Sequence, residues 1–479
     1  MPLRPCLVAL ATAALLSACA VGPDYVRPSL SVPAAYKETG DWKPAEPRSA
    51  ASGLAWWQAY GDATLDGLMT DALSANQTLR QAEAAYRQAR ALADAGGAGL
   101  FPAIGVNAGV TRARTNSSGT FKVGDANSLG LAASWEPDLW GSVRRTIESG
   151  DALAQASVDD LAAGRLSIQT TLAQDYLQLR IADQQRDLYD ATVAAYARAL
   201  ELTRAQHDAG VALRSDVALA ESQLAQAQAA AVDLEATRAQ LEHAIAVLTG
   251  RAPARFALAR APATQALALR APASPAGLPS DLLEHRPDIA AAERRAAAAN
   301  ANIGVAEAAY FPQLILSASG GFSAAKLAKL FDTPSRVWSL GAALAQTLFD
   351  GGLRRARTAQ AEAAYDVAAA QYKETVLGAF QQVEDDLSLL RLLGQESALQ
   401  DQAVRSSQLA EQLALNQYRA GTASYLSVVT AQTLALTSQR AALQLRARLL
   451  AASISLVAAT GGGWSADPTP AVATPTAPQ

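Results

Sequence analysis

The chain of 479 residues is poor in the groups that perform chemistry: it has 2 cysteines, 2 methionines and 3 histidines. His207, His243 and His285 lie far apart, with no cysteine or carboxylate pair at metal-ligand spacing, so no resident metal is expected. Glu284-His285 lacks the second histidine of a metallohydrolase helix. There is no GxSxG elbow and no phosphate-cradling lysine loop, and Ala95-Gly96-Gly97-Ala98-Gly99 reads as a bend between helix and strand. Neither catalytic residues nor a cofactor are expected, and the chain is not read as an enzyme. Charge is also scarce, at 18% against roughly 25% in soluble proteins. The 40 Lys+Arg against 44 Asp+Glu leave a net charge of −4, which excludes the basic surface that a nucleic-acid partner requires. Aromatic residues make up only 6%, too few large side chains for a thick globular core.

What is plentiful is small and apolar. Hydrophobic residues reach 50%, and that share leans on alanine, the strongest helix former and one that lets helices approach closely. Long, thin, tightly apposed helices are the expectation.

The N-terminus carries an address. Arg4 precedes an apolar run from Leu7 to Leu16, too short to cross a bilayer and ending in small residues, as an export signal does. Leu16-Ser17-Ala18-Cys19 resembles a bacterial lipobox, so Cys19 is expected to carry a diacylglycerol and an N-acyl chain after residues 1–18 are removed. Its thiol is then blocked and Cys6 is gone, so no disulfide can form. By resemblance to the sorting rule, Ala20 after the cysteine directs the protein to the outer membrane.

Internal repetition follows. Phe101-Pro102 recurs as Phe311-Pro312 at an offset of 210, and Asp138-Leu139-Trp140-Gly141 is echoed by Phe349-Asp350-Gly351-Gly352. His207-Asp208-Ala209-Gly210 is echoed by Tyr418-Arg419-Ala420-Gly421 at 211. Each half reads as helix, strand, strand, long helix, turn, helix. The first strand sets Ile104, Val106, Ala108 and Val110 against Gly105, Asn107, Gly109 and Thr111; the second sets Leu129, Leu131, Ala133 and Trp135 against Gly130, Ala132, Ser134 and Glu136. Leu314, Leu316 and Ala318 alternate with Ile315, Ser317 and Ser319, and Leu340, Ala342 and Leu344 with Gly341, Ala343 and Ala345. This period of two fits strands with lipid outside and water inside, or soluble hairpins on a helical core. In a membrane, four strands cannot close a barrel and would leave edges unpaired. Three copies would supply twelve strands, although two or four copies also give even numbers.

From Ser142 to His207 and from Leu353 to Tyr418 there is no proline, and each stretch of 66 residues would extend about 100 Å as one helix. Return helices are expected over 213–248 and 424–458. Their apolar seams fit either a wide tube or a solid coiled coil.

Ordered fragments along the chain are similar to the outer membrane factor family, in the lipoprotein branch serving resistance-nodulation-division (RND) efflux pumps. They run from CAVGPDYVRP at Cys19 through Trp56-Trp57, Asn76-Gln77-Thr78-Leu79-Arg80, Trp135-Glu136-Pro137-Asp138-Leu139-Trp140-Gly141, LPSDLLEHRPDIAAAERR from Leu278 and NANIGVAEAAYFP from Asn300. LFDGG from Leu348 and Gly461-Gly462-Gly463-Trp464 complete the set. The resemblance implies a mainly α fold with transmembrane β: a homotrimer whose twelve-stranded β-barrel continues into a long α-helical periplasmic barrel with a mixed equatorial belt. It divides the chain into a signal peptide (1–18), a lipid-anchored equatorial segment (19–61), a first repeat (62–248, hairpin 102–140, turn near 210), a linker (249–286), a second repeat (287–463, hairpin 312–349, turn near 421) and a tail (464–479). Implied partners are a second and third copy, outer-membrane lipid, a periplasmic adaptor and an inner-membrane RND transporter.

The same resemblance places a gate at the helix turns. Gly210 and Gly421 mark the tips and the adaptor-facing turns; Asp216 matches an aspartate that holds neighbouring helices, and Tyr418 a tyrosine that can hydrogen-bond to that carboxylate. Arg214 and Arg419 lie beside them as candidate ion-pair formers. Ser427 and Thr430 stand where some relatives have acidic residues, so no acidic ring at the aperture is expected. The function implied is a passive exit duct for small molecules. A duct for type I protein secretion and a non-spanning, lipid-anchored structural coiled coil are the alternatives.

Overall fold

The computed structural model describes residues 20–38, 55–117, 120–261 and 285–462. Cys19, the signal segment and the tail lie outside them, as does most of the linker. Eleven regular elements alternate in the order the repeats imply: α1 (Ala63–Ala75), α2 (Gln77–Gly97), β1 (Ala103–Ser117), β2 (Thr120–Trp135), α3 (Ser142–Asp208), α4 (Arg214–Leu248), α5 (Pro287–Ala308), β3 (Gln313–Ala324), β4 (Arg336–Ala345), α6 (Leu353–Arg419) and α7 (Tyr425–Ala459). The two longest helices, α3 and α6, have 67 residues each.

Polar side chains at the matched motifs start and stop these helices. Asp138 accepts the N–H groups of Val143 and Arg144, both at 2.9 Å, and so caps α3. Asp350 does the same for α6 through the N–H groups of Gly352 (3.0 Å) and Arg354 (3.2 Å). A carboxylate at a helix N-terminus satisfies orphan donors and meets the positive end of the helix dipole. Asn76 serves two ends at once: its Oδ1 accepts the Leu79 N–H at 3.1 Å while its Nδ2 donates to the Leu248 carbonyl at 2.8 Å, closing the end of α4.

Contacts group the chain into two units. The first comprises residues 1–30, 84–159 and 291–374 and holds the sheet. Its strands are antiparallel in the order β1-β2-β3-β4. The register aligns Val106 with Leu131, Leu131 with Gly320 and Gly320 with Trp338 on one face. On the opposite face Gly105 aligns with Ala132, Ala132 with Ser319 and Ser319 with Ser339. One face therefore presents Ile104, Val106, Leu131, Trp338, Leu340 and Leu344, all more than half exposed, and the other presents mainly small or polar groups, with Ile315 and Val337 as its larger apolar members. The third strand, the least regular by sequence, alternates in its burial from Gln313 to Ser319 and loses the alternation from Gly320 onwards. Phe101, Trp135 and Phe311 stand at one end of the apolar band and Phe322, Phe331 and Trp338 at the other, the two-belt pattern of a lipid-facing sheet. Within this unit the segment after residue 19 is bolted down. The guanidinium of Arg145 reaches the carbonyls of Val21 (3.2 Å) and Gly22 (3.0 Å) and the carboxylates of Asp24 (2.9 Å) and Glu148 (2.8 Å).

The second unit comprises residues 31–83, 160–290 and 375–479. Contrary to the expectation from composition, it contains one substantial core. Trp57, Tyr60, Leu65, Met69, Leu172, Tyr176, Leu179, Ile245, Leu450 and Ile454 pack together. Beyond it, the seams are built mostly from alanine and valine at heptad spacing, with Val217, Ala220, Ala227 and Ala231 buried on α4 and Tyr425, Val428, Gln432 and Ala435 on α7. By length and composition α7 alone among the described helices could cross a bilayer, but its Tyr425 and Val428 pack against α3 and α4 and its Leu445 and Ala452 against Leu393 of α6.

Candidate functional site

The two turns at the ends of the long helices share one geometry. At the end of α3, Gly210 N–H donates to the His207 carbonyl and Val211 N–H to that of Gln206, both at 2.8 Å. At the end of α6, Gly421 N–H donates to Tyr418 (3.0 Å) and Thr422 N–H to Gln417 (2.9 Å). These are paired Schellman closures, which require a left-handed residue; φ is 75° at Gly210 and 70° at Gly421. A Cβ at either would meet nothing within 4 Å, so backbone conformation alone demands the glycine. The Nδ1 of His207 lies 3.0 Å from the Ala212 carbonyl and ties the first turn to its helix.

After the turns the repeats diverge. Asp216, three residues into α4, accepts the Leu213 N–H at 3.2 Å and closes its own helix start. The equivalent place on α7 is Ser427, whose hydroxyl lies 3.3 Å from that of Ser424. Thr430 turns its hydroxyl to the Leu426 carbonyl at 2.9 Å. Ser427 and Thr430 are both exposed and uncharged.

Behind the turns lies a buried aromatic lock. Tyr418, 6% exposed, packs with Ala199 and Leu200 of α3, Val217 and Ala220 of α4, and Tyr425 and Val428 of α7. Its hydroxyl lies 3.3 Å from Thr203 Oγ1, and its ring centroid is 5.3 Å from that of Tyr425. Burial pushes the Tyr425 hydroxyl up to about 12, with Tyr418, Tyr196 and Asp216 adding to the rise, so it stays neutral at physiological pH. Within the chain, Tyr418 and Asp216 are not bonded to each other; each is engaged elsewhere. Arg214 and Arg419 are exposed and form no ion pair among the described residues. The ion pair present joins α3 to α4 instead: Arg204 donates to Glu221 at 2.7 Å and holds that carboxyl below its usual range, helped by Arg214.

Thr203, Arg204, Glu221 and Tyr425 were missed in the sequence. The heptad seam could have found Tyr425 and Thr203, since both occupy buried positions. The Arg204–Glu221 pair depends on the antiparallel pairing of α3 and α4, which spacing along the chain does not reveal.

A family profile described as outer membrane efflux protein matches residues 68–251 and 278–462, once per repeat. The chain belongs to the outer membrane efflux protein family. It is 34% identical over 463 residues to the pyoverdine export outer membrane protein OpmQ of Pseudomonas aeruginosa, covering 95% of this chain and 96% of that one. It is 30% identical over 470 residues to the toluene efflux pump outer membrane protein TtgF of Pseudomonas putida, at the same coverage. The solved outer-membrane channel OprN superposes with a TM-score of 0.87 at 33% identity, over 93% of this chain and all of that one. Family and sheet agree on architecture: β1 and β4 leave open edges, which cannot stay unpaired in hydrocarbon. The chain is one protomer of a trimeric outer-membrane efflux channel with a long helical periplasmic extension, four strands from each copy closing the barrel. Protein-secretion duct and non-spanning coiled coil both give way to this reading.

Proposed function

We propose that this channel is the passive exit duct of a tripartite pump, receiving small molecules from an inner-membrane RND transporter through a periplasmic adaptor that grips the turns at Gly210 and Gly421. Export of pyoverdine and of toluene by two relatives supports small-molecule cargo. A sheet face of glycine, serine and alanine supports an aqueous lumen with little selectivity of its own. Cys19 anchors the chain through its acyl chains, and intact-mass measurement of the mature protein tests this by the added lipid mass.

The closed state is held at the turns. The observation that carries this is the Tyr418–Thr203–Tyr425 lock beneath two glycine closures. Asp216 and the two exposed arginines are placed to meet groups of neighbouring copies, where three tips converge. Single-channel recordings of the wild type, Asp216→Ala and Tyr418→Phe provide the test, and raised closed-state conductance is expected in both variants. Wild-type conductance in both would remove the latch. With Ser427 and Thr430 in place of an acidic ring, divalent cations should block weakly, and strong block that survives Asp216→Ala would refute this aperture.

A further inference from the structure

The arginines of the sheet are placed on one face and towards one end, whereas Lys122, in register with Thr115, falls in the opposite phase. The strands contain three arginines, Arg112, Arg114 and Arg336. Arg112 and Arg114 are in phase with Ile104, Val106, Ala108 and Val110, the apolar row. Arg336 is in register with Phe322, which aligns with Leu129 and so with Ala108. All three therefore share the lipid-directed face, while Thr111, Ala113 and Thr115 occupy the opposite phase of β1 at the same level. Arg112 follows Val110 by one pleat repeat, about 7 Å along the strand, and Arg336 opens β4, so each guanidinium stands near the hairpin end of its own strand, with Val123 and Phe121 on the same face beside Arg114.

These cations are weakly satisfied. The Arg112 side chain is 77% exposed, and its Nε lies 3.6 Å from Asp125. Arg114 stacks on the Phe121 ring at 4.4 Å. Arg336 makes no ion pair among the described residues. The loop between β3 and β4 adds Lys326 and Lys329, both exposed and unpaired among the described residues, beside Leu327 and Phe331, which are 66% and 67% exposed. Asp125 and Asp332 are the acids of the same zone, so five cations face two acids in a chain whose net charge is −4. The zone lies at the hairpin ends, away from the helices, which is the extracellular end.

We infer that this rim is a binding collar for a phosphorylated glycolipid of the outer leaflet. The pattern requires a partner that is anionic, lies beside the barrel wall, and carries hydrocarbon next to its phosphate. A phosphorylated sugar headgroup on acyl chains meets all three conditions. Guanidinium forks bind phosphate oxygens with two parallel hydrogen bonds, and the exposed Leu327, Phe331 and Val123 supply apolar contact at the same depth. The inference rests on the sheet's apolar face meeting lipid.

The test uses the full-length trimer in phosphatidylcholine vesicles with added lipopolysaccharide, with dephosphorylated lipopolysaccharide, or with neither. Glycolipid retained per trimer is measured after re-extraction, alongside conductance in the same vesicles. The wild type should retain lipopolysaccharide and release the dephosphorylated form. Arg112→Gln combined with Arg114→Gln and Arg336→Gln should lower retention about tenfold or more without altering conductance. Lys326→Gln with Lys329→Gln, confined to a loop, should produce a smaller loss and guards against misfolding of the triple variant. Equal retention by wild type and both variants, or equal retention of dephosphorylated lipid, would overturn the collar. Trimer dissociation in the triple variant without any glycolipid present would also overturn it, by assigning the arginines to contacts between copies. Failure of the wild-type trimer to insert into the vesicles, read by its extraction at alkaline pH, would instead refute the membrane-spanning reading.

Discussion

Replacing Gly304 by alanine should release the N-terminal segment from the first unit. Gly304 lies in α5, where alanine is ordinarily the better residue by about 0.5–1 kcal/mol. Here the added methyl would sit 2.7 Å from the Val21 carbonyl oxygen, 2.9 Å from Arg145 Cγ and 3.0 Å from Arg145 Nε. Carbon contacts need roughly 3.5 Å, so segment and guanidinium must both retreat. That movement strains the four bonds Arg145 makes to Val21, Gly22, Asp24 and Glu148, and the Val21 N–H bond to the Trp140 carbonyl at 3.1 Å. Overpacking of this kind costs about 1–3 kcal/mol, which outweighs the helix-propensity gain. Hydrogen exchange of the peptide containing residues 20–30 reads it directly, because local opening sets the rate. Exchange at Val21 should accelerate about 5- to 150-fold. The matched control is Gly378→Ala in α6, whose methyl would meet nothing within 4 Å of the same chain and should leave that peptide unchanged. Unaltered exchange in Gly304→Ala would mean that the segment is held by something other than this slot.

Three further outcomes follow from the geometry. Gly210→Ala and Gly421→Ala should each destabilise a turn by about 1–2 kcal/mol, since φ is 75° and 70° there, seen as faster proteolysis at the tips; Gly→Asn should be milder. Thr203→Val should reproduce part of the Tyr418→Phe leak, because either change removes the 3.3 Å contact between the two hydroxyls, and conductance of the double variant should be no greater than that of the larger single one. Asp386 is 7% exposed with Oδ2 unpartnered among the described residues, and burial pushes its carboxyl up to about 6, opposed by a hydrogen bond from Ser455 and raised further by Asp385. Its folded value stands above the unfolded one, so the charge is a cost that appears as pH rises through about 6. Asp386→Asn should therefore raise the thermal midpoint at pH 8 and have little effect at pH 4; equal shifts at both would refute this.

Much of the architecture is legible in the residues because it depends on periodicity and local backbone preference. Proline-free alanine-rich stretches make the 67-residue helices, period two makes the strands, and Gly210 and Gly421 stop the helices where only a left-handed residue closes them. The duplication makes each reading twice testable. The large side chains were harder to place. Composition argued against a thick core, yet Trp57, Tyr60, Leu65, Met69, Leu172 and Tyr176 collect into one, because residues more than a hundred positions apart converge. At the turns, Tyr418 was legible as a tip residue, but its partners Thr203 and Tyr425 come from other helices.

Sequence alone determined the repeat, the period of every element and the scarcity of charge that suits a wall between lipid and water. Those properties reside in neighbouring residues and survive without knowledge of contacts. Tertiary structure decided which atoms meet: that Asn76 caps two helices, that Arg145 clasps the segment after residue 19, and that three arginines share one face of the sheet. Pairing register and helix packing carry that information, and each depends on residues far apart in the chain being brought together.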